Sequence, residues 1–480
     1  MTFNSWQFLL FYPIVLALYF TLPKKCKWPM LLVASYFFYM CYSPDLVFLI
    51  FGTTLVSWIA SRIMERSESV AVRRLLLTLT LVVSLGVLFF YKYFDFLSRS
   101  ITDLIGAEPY LLSLALPVGI SFYTFQTLSY VIDVYRGDVR SEKNFFFYAL
   151  FVSFFPQLVA GPIERPDNLI PQLRDVHKWN KDDAIKGAKH MLVGFFKKIC
   201  VADLIARSVD SVYNSPEEAG AFSIVVATVL FAVQIYCDFS GYTDIAIGCA
   251  RIMGIRLMKN FDHPYIATTI KEFWSRWHIS LSSWFRDYLY IPLGGNRCRK
   301  WRHLTNLFIV FLVSGLWHGA EWTFVIWGAI HGIYQIIGNL TARPRSALIK
   351  KVGLSEDSAL VTWVRRVITF VLVCAAWMVF RANNISELGV LLSRLFSLEG
   401  ASLADQLSAM GLSIVPLVTV IISIVILIII DRLLTYEGKG DSSFVLVKSG
   451  SFVYIITAIL VCWLLLISND MISTFIYFQF

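Results

Sequence analysis

The sequence predicts an all-α polytopic membrane protein, and three observations carry that prediction. Of 480 residues, 57% are hydrophobic and only 16% charged, with a mean hydropathy of +0.65, a balance that a water-exposed domain of this length does not sustain. Apolar runs recur along the whole chain at close to the roughly twenty residues that cross a bilayer as a helix. Nothing shows the ten-residue alternation of an outer-membrane barrel, so the backbone groups in lipid must be satisfied within helices.

Taken in order, the first run, 5–22, follows only Met1 to Ser5, with no basic n-region or small-residue cleavage site, and reads as a retained helix rather than a signal peptide. Runs at 28–43, 45–61 and 74–92 follow, bounded by Lys24, Lys25 and Lys27 and then by Arg62, Arg66, Arg73 and Arg74. The runs 110–132 and 144–160 lie on either side of Arg136 and Arg140. The second closes in Phe155-Pro156-Gln157 to Arg165, where two prolines and a glycine predict a re-entrant turn. The run 220–237 leads into Gln234 to Asp244, where Asp238 and Asp244 flank Gly241. That glycine reads as a break between two apolar segments, either lining an ion or substrate site or acting as a polar hinge. Runs at 304–318, 322–340, 362–380, 412–431 and 452–467 complete the set. Several are short, so some are re-entrant or tilted, and roughly ten to twelve transmembrane helices are expected.

Short loops rich in Lys and Arg stay in the cytoplasm. This rule places both termini, the 93–109 loop and 381–410 outside, and the basic loop before 304 inside; the number of crossings within 144–260 stays open. No linker or repeat divides the chain, so 1–480 reads as a single membrane-embedded domain, with a polar and aromatic centre at about 116–335 flanked by scaffold helices at 1–92 and 362–480. The eight cysteines are scattered with no CxxC, and no metal site or disulfide framework is implied.

The stretch Ile270 to Leu293 carries Lys271, Glu272, Arg276, His278, Arg286 and Asp287, too much charge for a membrane crossing. At 100° per residue, Trp274, Trp277, Leu281, Trp284 and Tyr288 share one side, which predicts an interfacial helix beside the basic cytoplasmic loop.

His318 is the first place to look for chemistry. It ends the run Leu307 to Val313 through Ser314-Gly315-Leu316-Trp317, on a segment running outward, and a second apolar run begins at Trp322. A neutral imidazole donating to a carbonyl of the next helix and a reactive base with a free lone pair explain it about equally well. Gly315 and Gly319 flank it and let another helix or a substrate come close. His278 is the second candidate. His331, in Trp327-Gly328-Ala329-Ile330-His331, reads as a helix-packing group, and His177, His190, His263 and His303 lie in or near polar loops. There is no P-loop, no GxGxxG after a strand, no GxSxG elbow and no HExxH, so nucleotide, serine-hydrolase and zinc chemistry have no support, and no nucleic-acid partner is implied. A base at membrane depth without a resident nucleophile suits direct transfer of a group between two bound molecules.

At these residues the sequence resembles the membrane-bound O-acyltransferase (MBOAT) family, and within it the bacterial alginate and peptidoglycan O-acetyltransferase branch. The matching stretches include Leu116 to Gln126, Ile132-Asp133-Val134-Tyr135-Arg136-Gly137, Ala160-Gly161-Pro162, Phe196-Lys197-Lys198, Asp238-Phe239-Ser240-Gly241-Tyr242, Glu272-Phe273-Trp274, Arg276 to Leu281, Arg286 to Ile291, Gly294 to Arg297 and Gly315 to Gly319. The resemblance implies a ring of helices around a thinned central tunnel, in the bacterial inner membrane. His318 matches the family's essential histidine, taking a proton from an attacking hydroxyl and returning it to a leaving thiol; His278 would position the donor or polarise its carbonyl. No permanently bound cofactor is implied. The donor would be acetyl-coenzyme A or an acylated carrier, and Arg297, Arg299 and Lys300 would attract its phosphates, although the orientation rule alone also puts these charges there. The acceptor would be a hydroxyl of an extracytoplasmic polysaccharide or of an SGNH-type partner acetyltransferase. The alternatives are D-alanyl transfer to teichoic acid and, from another class, a transporter using Asp133, Asp238 and Asp244.

Overall fold

The computed structural model describes the chain except residues 43, 160, 176, 398–400, 437–443, 447–459, 462, 465–466 and 468–480. The run expected at 452–467 therefore lies mostly outside the described residues, and the C-terminus lies outside them. The regular structure among the described residues is helical, apart from a pair of three-residue strands, Leu434–Tyr436 and Phe444–Leu446. Five described helices are long and apolar enough to cross a membrane: Val47–Arg66, Val70–Ile105, Ala221–Ile252, Ala359–Arg381 and Ile414–Arg432. The residues group into two compact units, one of 1–195, 242–259 and 436–445, the other of 196–241, 260–435 and 446–480.

In the first unit, side-chain caps start the helices where the sequence offers them. Ser5 accepts from the Phe8 amide, Ser69 from that of Val72, and Asn144 from those of Phe146 and Phe147. The Val70–Leu88 helix does not stop at the expected loop: it passes through a π turn, Phe89–Tyr93, and continues as Phe94–Ile105 until Gly106, at φ 68°. The following run begins as a helix only at Ile120, ten residues later than expected, because Pro109 and Pro117 disfavour a helix before them. Gly119, at φ 73°, makes that start possible: a Cβ there would stand 2.6 Å from the Leu158 carbonyl oxygen.

The 144–160 run forms Phe145–Ser153 and Phe155–Leu158 and then loses helical order while staying buried, so this irregular backbone is covered by protein. Glu164 anchors it, fully buried, accepting from the Met258 amide at 2.5 Å and from Asn168 Nδ2 at 2.6 Å. Burial pushes its carboxyl up to about 7.

In the second unit two expectations are corrected. Gly241 is not a break, because the Ala221–Ile252 helix runs straight through it. A helical glycine costs only about 1 kcal/mol relative to alanine, and the surrounding packing outweighs that. Asp238 faces Lys198, at 2.7 Å, on the π-helix Phe196–Asp203, and the same ammonium meets Asp203 at 2.9 Å. All three side chains are buried, so the polar character that suggested a discontinuous site belongs to a buried ion cluster.

The 270–293 stretch is likewise not one interfacial helix. It forms Ile270–Arg276, Ile279–Phe285 and a π turn, Arg286–Tyr290, separated at Trp277-His278. The first piece opens with Thr269 accepting from the Glu272 amide at 3.0 Å, while the Glu272 carboxylate accepts from the Thr268 amide at 2.8 Å. Trp274, Trp277, Leu281 and Trp284 are all buried, so protein covers them. Periodicity reports that a face is apolar, not whether lipid or protein lies against it.

Candidate active site

The helix Lys300–His318 ends at His318, and after Gly319 the chain turns back into Trp322–Lys351. Glycines set the spacing of this hairpin. A Cβ on Gly315 would lie 2.3 Å from the Phe324 carbonyl oxygen and 3.1 Å from Gly328 Cα, and one on Gly328 would lie 2.4 Å from the Phe311 carbonyl oxygen. Backbone meets backbone there, the close approach that small residues permit between membrane helices. His318 is thereby held at the mouth of the hairpin, 4% exposed, among Trp317, Trp327 and Phe380, with ring centroids at 4.9, 5.1 and 5.5 Å. Trp377 stacks on Trp327 at 5.8 Å and meets Phe380 at 5.2 Å, closing the aromatic wall from the Ala359–Arg381 helix.

His278 reaches the same wall. Its ring lies 5.9 Å from that of Trp317, so one indole touches both predicted histidines, and 4.7 Å from Phe239. The residue has φ 44° and ψ 55°, a left-handed conformation uncommon outside glycine, and it caps Ile279–Phe285. The hydrogen bonds around it assign its tautomer. Asn260 Oδ1 accepts from the Ser280 backbone amide at 3.3 Å and from Ser280 Oγ at 2.8 Å. A backbone amide only donates, so that Asn260 atom must be the oxygen, and His278 Nδ1, 3.1 Å from it, must carry a proton. Burial pushes the imidazole down to about 3, which leaves Nε2 as a lone-pair acceptor at neutral pH.

His331 shows the opposite arrangement. Trp274 Nε1 donates to His331 Nδ1 at 3.2 Å, so Nδ1 is the acceptor and Nε2 carries the proton. The ring is fully buried, 4.9 Å from Trp327 and 5.1 Å from Trp274. Trp327 thus lies against both His331 and His318, as Trp317 lies against both His278 and His318.

Sequence reasoning singled out His318 and His278, read His331 as a packing group and did not single out Asn260; the structure brings the three histidines to one aromatic wall. Trp327 and His331 are four apart and share a helix face, a signal that could have raised His331. The contacts that define Asn260 and Trp274 join distant segments and leave no local pattern.

Arg297, Arg299 and Lys300 are exposed on the loop that opens the His318 helix, where Asn306 Nδ2 donates to the carbonyls of Leu293 and Gly295. That helix is nineteen residues long, about 28 Å, with His318 at its other end, so these cations lie far from His318. The remaining histidines are elsewhere: His177 bonds the Gln172 carbonyl, His263 its neighbour Asp262, and His303 the Tyr290 hydroxyl, while His190 is buried in Lys181–Phe195.

The model of the membrane-bound O-acyltransferase family matches residues 136–380, which include all three histidines. The chain is 39% identical to a probable alginate O-acetylase of Pseudomonas aeruginosa over 406 residues, 83% of this chain and 75% of that one. It is 34% identical to a peptidoglycan O-acetyltransferase of Helicobacter pylori over 433 residues, covering 84% and 81%. A teichoic acid D-alanyltransferase of Bacillus subtilis is 28% identical over 279 residues, 55% of this chain and 68% of that one.

Proposed function

Because the chain belongs to the membrane-bound O-acyltransferase family, we propose that it moves an acetyl group from a cytoplasmic thioester to a hydroxyl on the far side of the membrane. The protein is a multi-pass membrane O-acetyltransferase. The finer reading assigns a donor, a direction and an acceptor. The donor is acetyl-coenzyme A or an acylated carrier, drawn to the cytoplasmic face by Arg297, Arg299 and Lys300. The acceptor is a hydroxyl of an extracytoplasmic polysaccharide, alginate-like or peptidoglycan, or of an SGNH-type acetyltransferase that passes the group on. The cytoplasmic membrane of a bacterium, with both termini outside, is the setting this reading requires.

The burial of His318 at the end of a helix, inside an aromatic wall, is the observation that carries the proposal. Water is excluded there, and a neutral imidazole takes the hydroxyl proton as the oxygen attacks the thioester carbonyl, then returns it to the departing sulfur. No acyl-enzyme is needed, since both reactants meet at one base. His278, with its Nε2 lone pair presented near the same indole, orients the donor by accepting a hydrogen bond from it.

Transfer of labelled acetyl groups from acetyl-coenzyme A into envelope polymer, in membranes containing the full chain, tests this. Loss of transfer in His318→Ala, with the protein still inserted and folded, is the expected result; robust transfer by that variant overturns the reading.

A further inference from the structure

The acyl carbonyl needs a hydrogen-bond donor as well as a base, and the histidine that the sequence reading offered for that task cannot serve. His278 points its proton at Asn260, and its other nitrogen is an acceptor. An acceptor does not stabilise the negative oxygen that forms when a hydroxyl adds to a thioester.

His331 has what His278 lacks. Its Nδ1 is occupied by the Trp274 indole N–H, which compels the neutral ring to carry its proton on Nε2. The ring is completely buried, and Nε2 has no hydrogen-bond acceptor among the described residues. A buried N–H in a native structure is normally paired, and one left over beside a reactive group is a reason to look for a transient partner. The Trp327 indole lies against both rings, 4.9 Å from His331 and 5.1 Å from His318, so the free donor and the base border one wall. Trp274 itself is set by the Thr269 cap on Ile270–Arg276 and by contact with Trp327 at 5.6 Å.

We infer that His331, locked as its Nε2–H tautomer by Trp274, is a catalytic residue that donates a hydrogen bond to the acyl carbonyl oxygen during transfer. This rests on the reading of His318 as the base. The hydroxyl oxygen forms a bond to the thioester carbon, its proton goes to His318, and the carbonyl π pair moves onto oxygen, where His331 Nε2–H meets it. When the pair returns, the carbon–sulfur bond breaks and the thiolate takes the proton from His318. His331 keeps its own proton throughout, so it acts as a neutral electrophile and not as a second base. Trp274 is a positioning residue, acting only through His331.

The test combines kinetics with direct observation of the proton. In the acetyl-transfer assay, His331→Phe keeps the ring volume and removes the donor; it is expected to lower kcat by roughly 10²–10³-fold with KM for the thioester little changed. His331→Gln restores an N–H near the Nε2 position and is expected to regain at least about tenfold over His331→Phe. Nitrogen-15 spectra of histidine-labelled, bilayer-embedded parent protein, with the His331 signal identified by its loss in His331→Gln, are expected to show Nε2 protonated and Nδ1 bare, and Trp274→Phe is expected to mix the two tautomers. Parental kcat in folded His331→Phe, equal losses in the Phe and Gln variants, or a protonated Nδ1 would each overturn the inference. The spectrum decides the tautomer even if His331→Phe fails to fold. His318→Ala in the same assay separates the two readings: if it is inactive while His331→Phe is fully active, only the donor role falls. If His318→Ala is active, the base falls, while the tautomer spectrum still stands or falls by itself.

Discussion

Replacing Gly315 with alanine adds one methyl group three residues before His318, and the structure lets its effect be worked out. The new Cβ would sit 2.3 Å from the Phe324 carbonyl oxygen, and bringing that contact to the 3.0 Å below which real Cβ atoms are essentially never found parts the two helices by about 0.7 Å. The obstruction is backbone, so no rotamer change relieves it, and Gly328 Cα stands at 3.1 Å behind it. Overpacking of this kind costs about 1–3 kcal/mol. The larger effect falls on rate. His318 moves with its helix, whereas Trp327 is carried by the opposing helix and Phe380 by a third, and a misplacement near 1 Å is worth about 10²-fold in a reaction that depends on approach geometry. Gly315→Ala is therefore expected to transfer acetyl groups about a hundredfold more slowly while still melting cooperatively in detergent. Gly338→Ala is the matched control: a Cβ there meets nothing within 4 Å, so the rate should hold and stability should rise by about 0.4–1 kcal/mol. Initial rates per unit of folded protein, measured beside thermal melting, check both. A Gly315→Ala protein that turns over at the parental rate would refute the claim that the glycine contact sets the position of His318.

Two further outcomes concern stability rather than chemistry. Lys198→Met strips the ammonium from between Asp203 and Asp238, and leaving buried carboxylates without their cation should cost about 3–5 kcal/mol; adding Asp238→Asn should recover part of it, and an unchanged melting temperature for Lys198→Met would show the cluster to be dispensable. Glu164 carries a pH signature. Its folded value, about 7, lies above the ordinary carboxyl value of 4.5, so the folded protein binds the proton more tightly and stability declines as pH rises through that interval. Glu164→Gln should flatten that decline and leave the protein more stable than the parent above pH 7, measured as melting temperature against pH; a parallel profile would contradict the burial argument.

The helical class and the first catalytic candidate were legible because each depends on local composition. Apolar runs predict helices wherever lipid or protein lies against them, and a histidine between two such runs stands out whatever surrounds it. The boundaries were less legible. A run of aromatics, Phe89-Phe90-Tyr91, carried a helix past the point where hydropathy falls, through a π turn that no spacing rule announces. Gly241 looked like a hinge because a sequence cannot display the Lys198 that satisfies Asp238 from forty residues away. The same blindness hid the tautomers. His278 and His331 look alike as letters, and only Asn260 and Trp274, placed by tertiary packing, make one an acceptor and the other a donor.

The aromatic wall around His318 has an optical consequence. Trp274, Trp277, Trp317, Trp327 and Trp377 are all buried there, shielded from water, whereas Trp6, Trp179, Trp301 and Trp363 are largely exposed. Buried indoles emit at shorter wavelength than hydrated ones, and an imidazolium or a thioester beside an indole quenches it. The blue edge of the intrinsic emission is thus a label-free gauge of what occupies the centre, and its quenching by a non-hydrolysable donor analogue would time arrival separately from turnover.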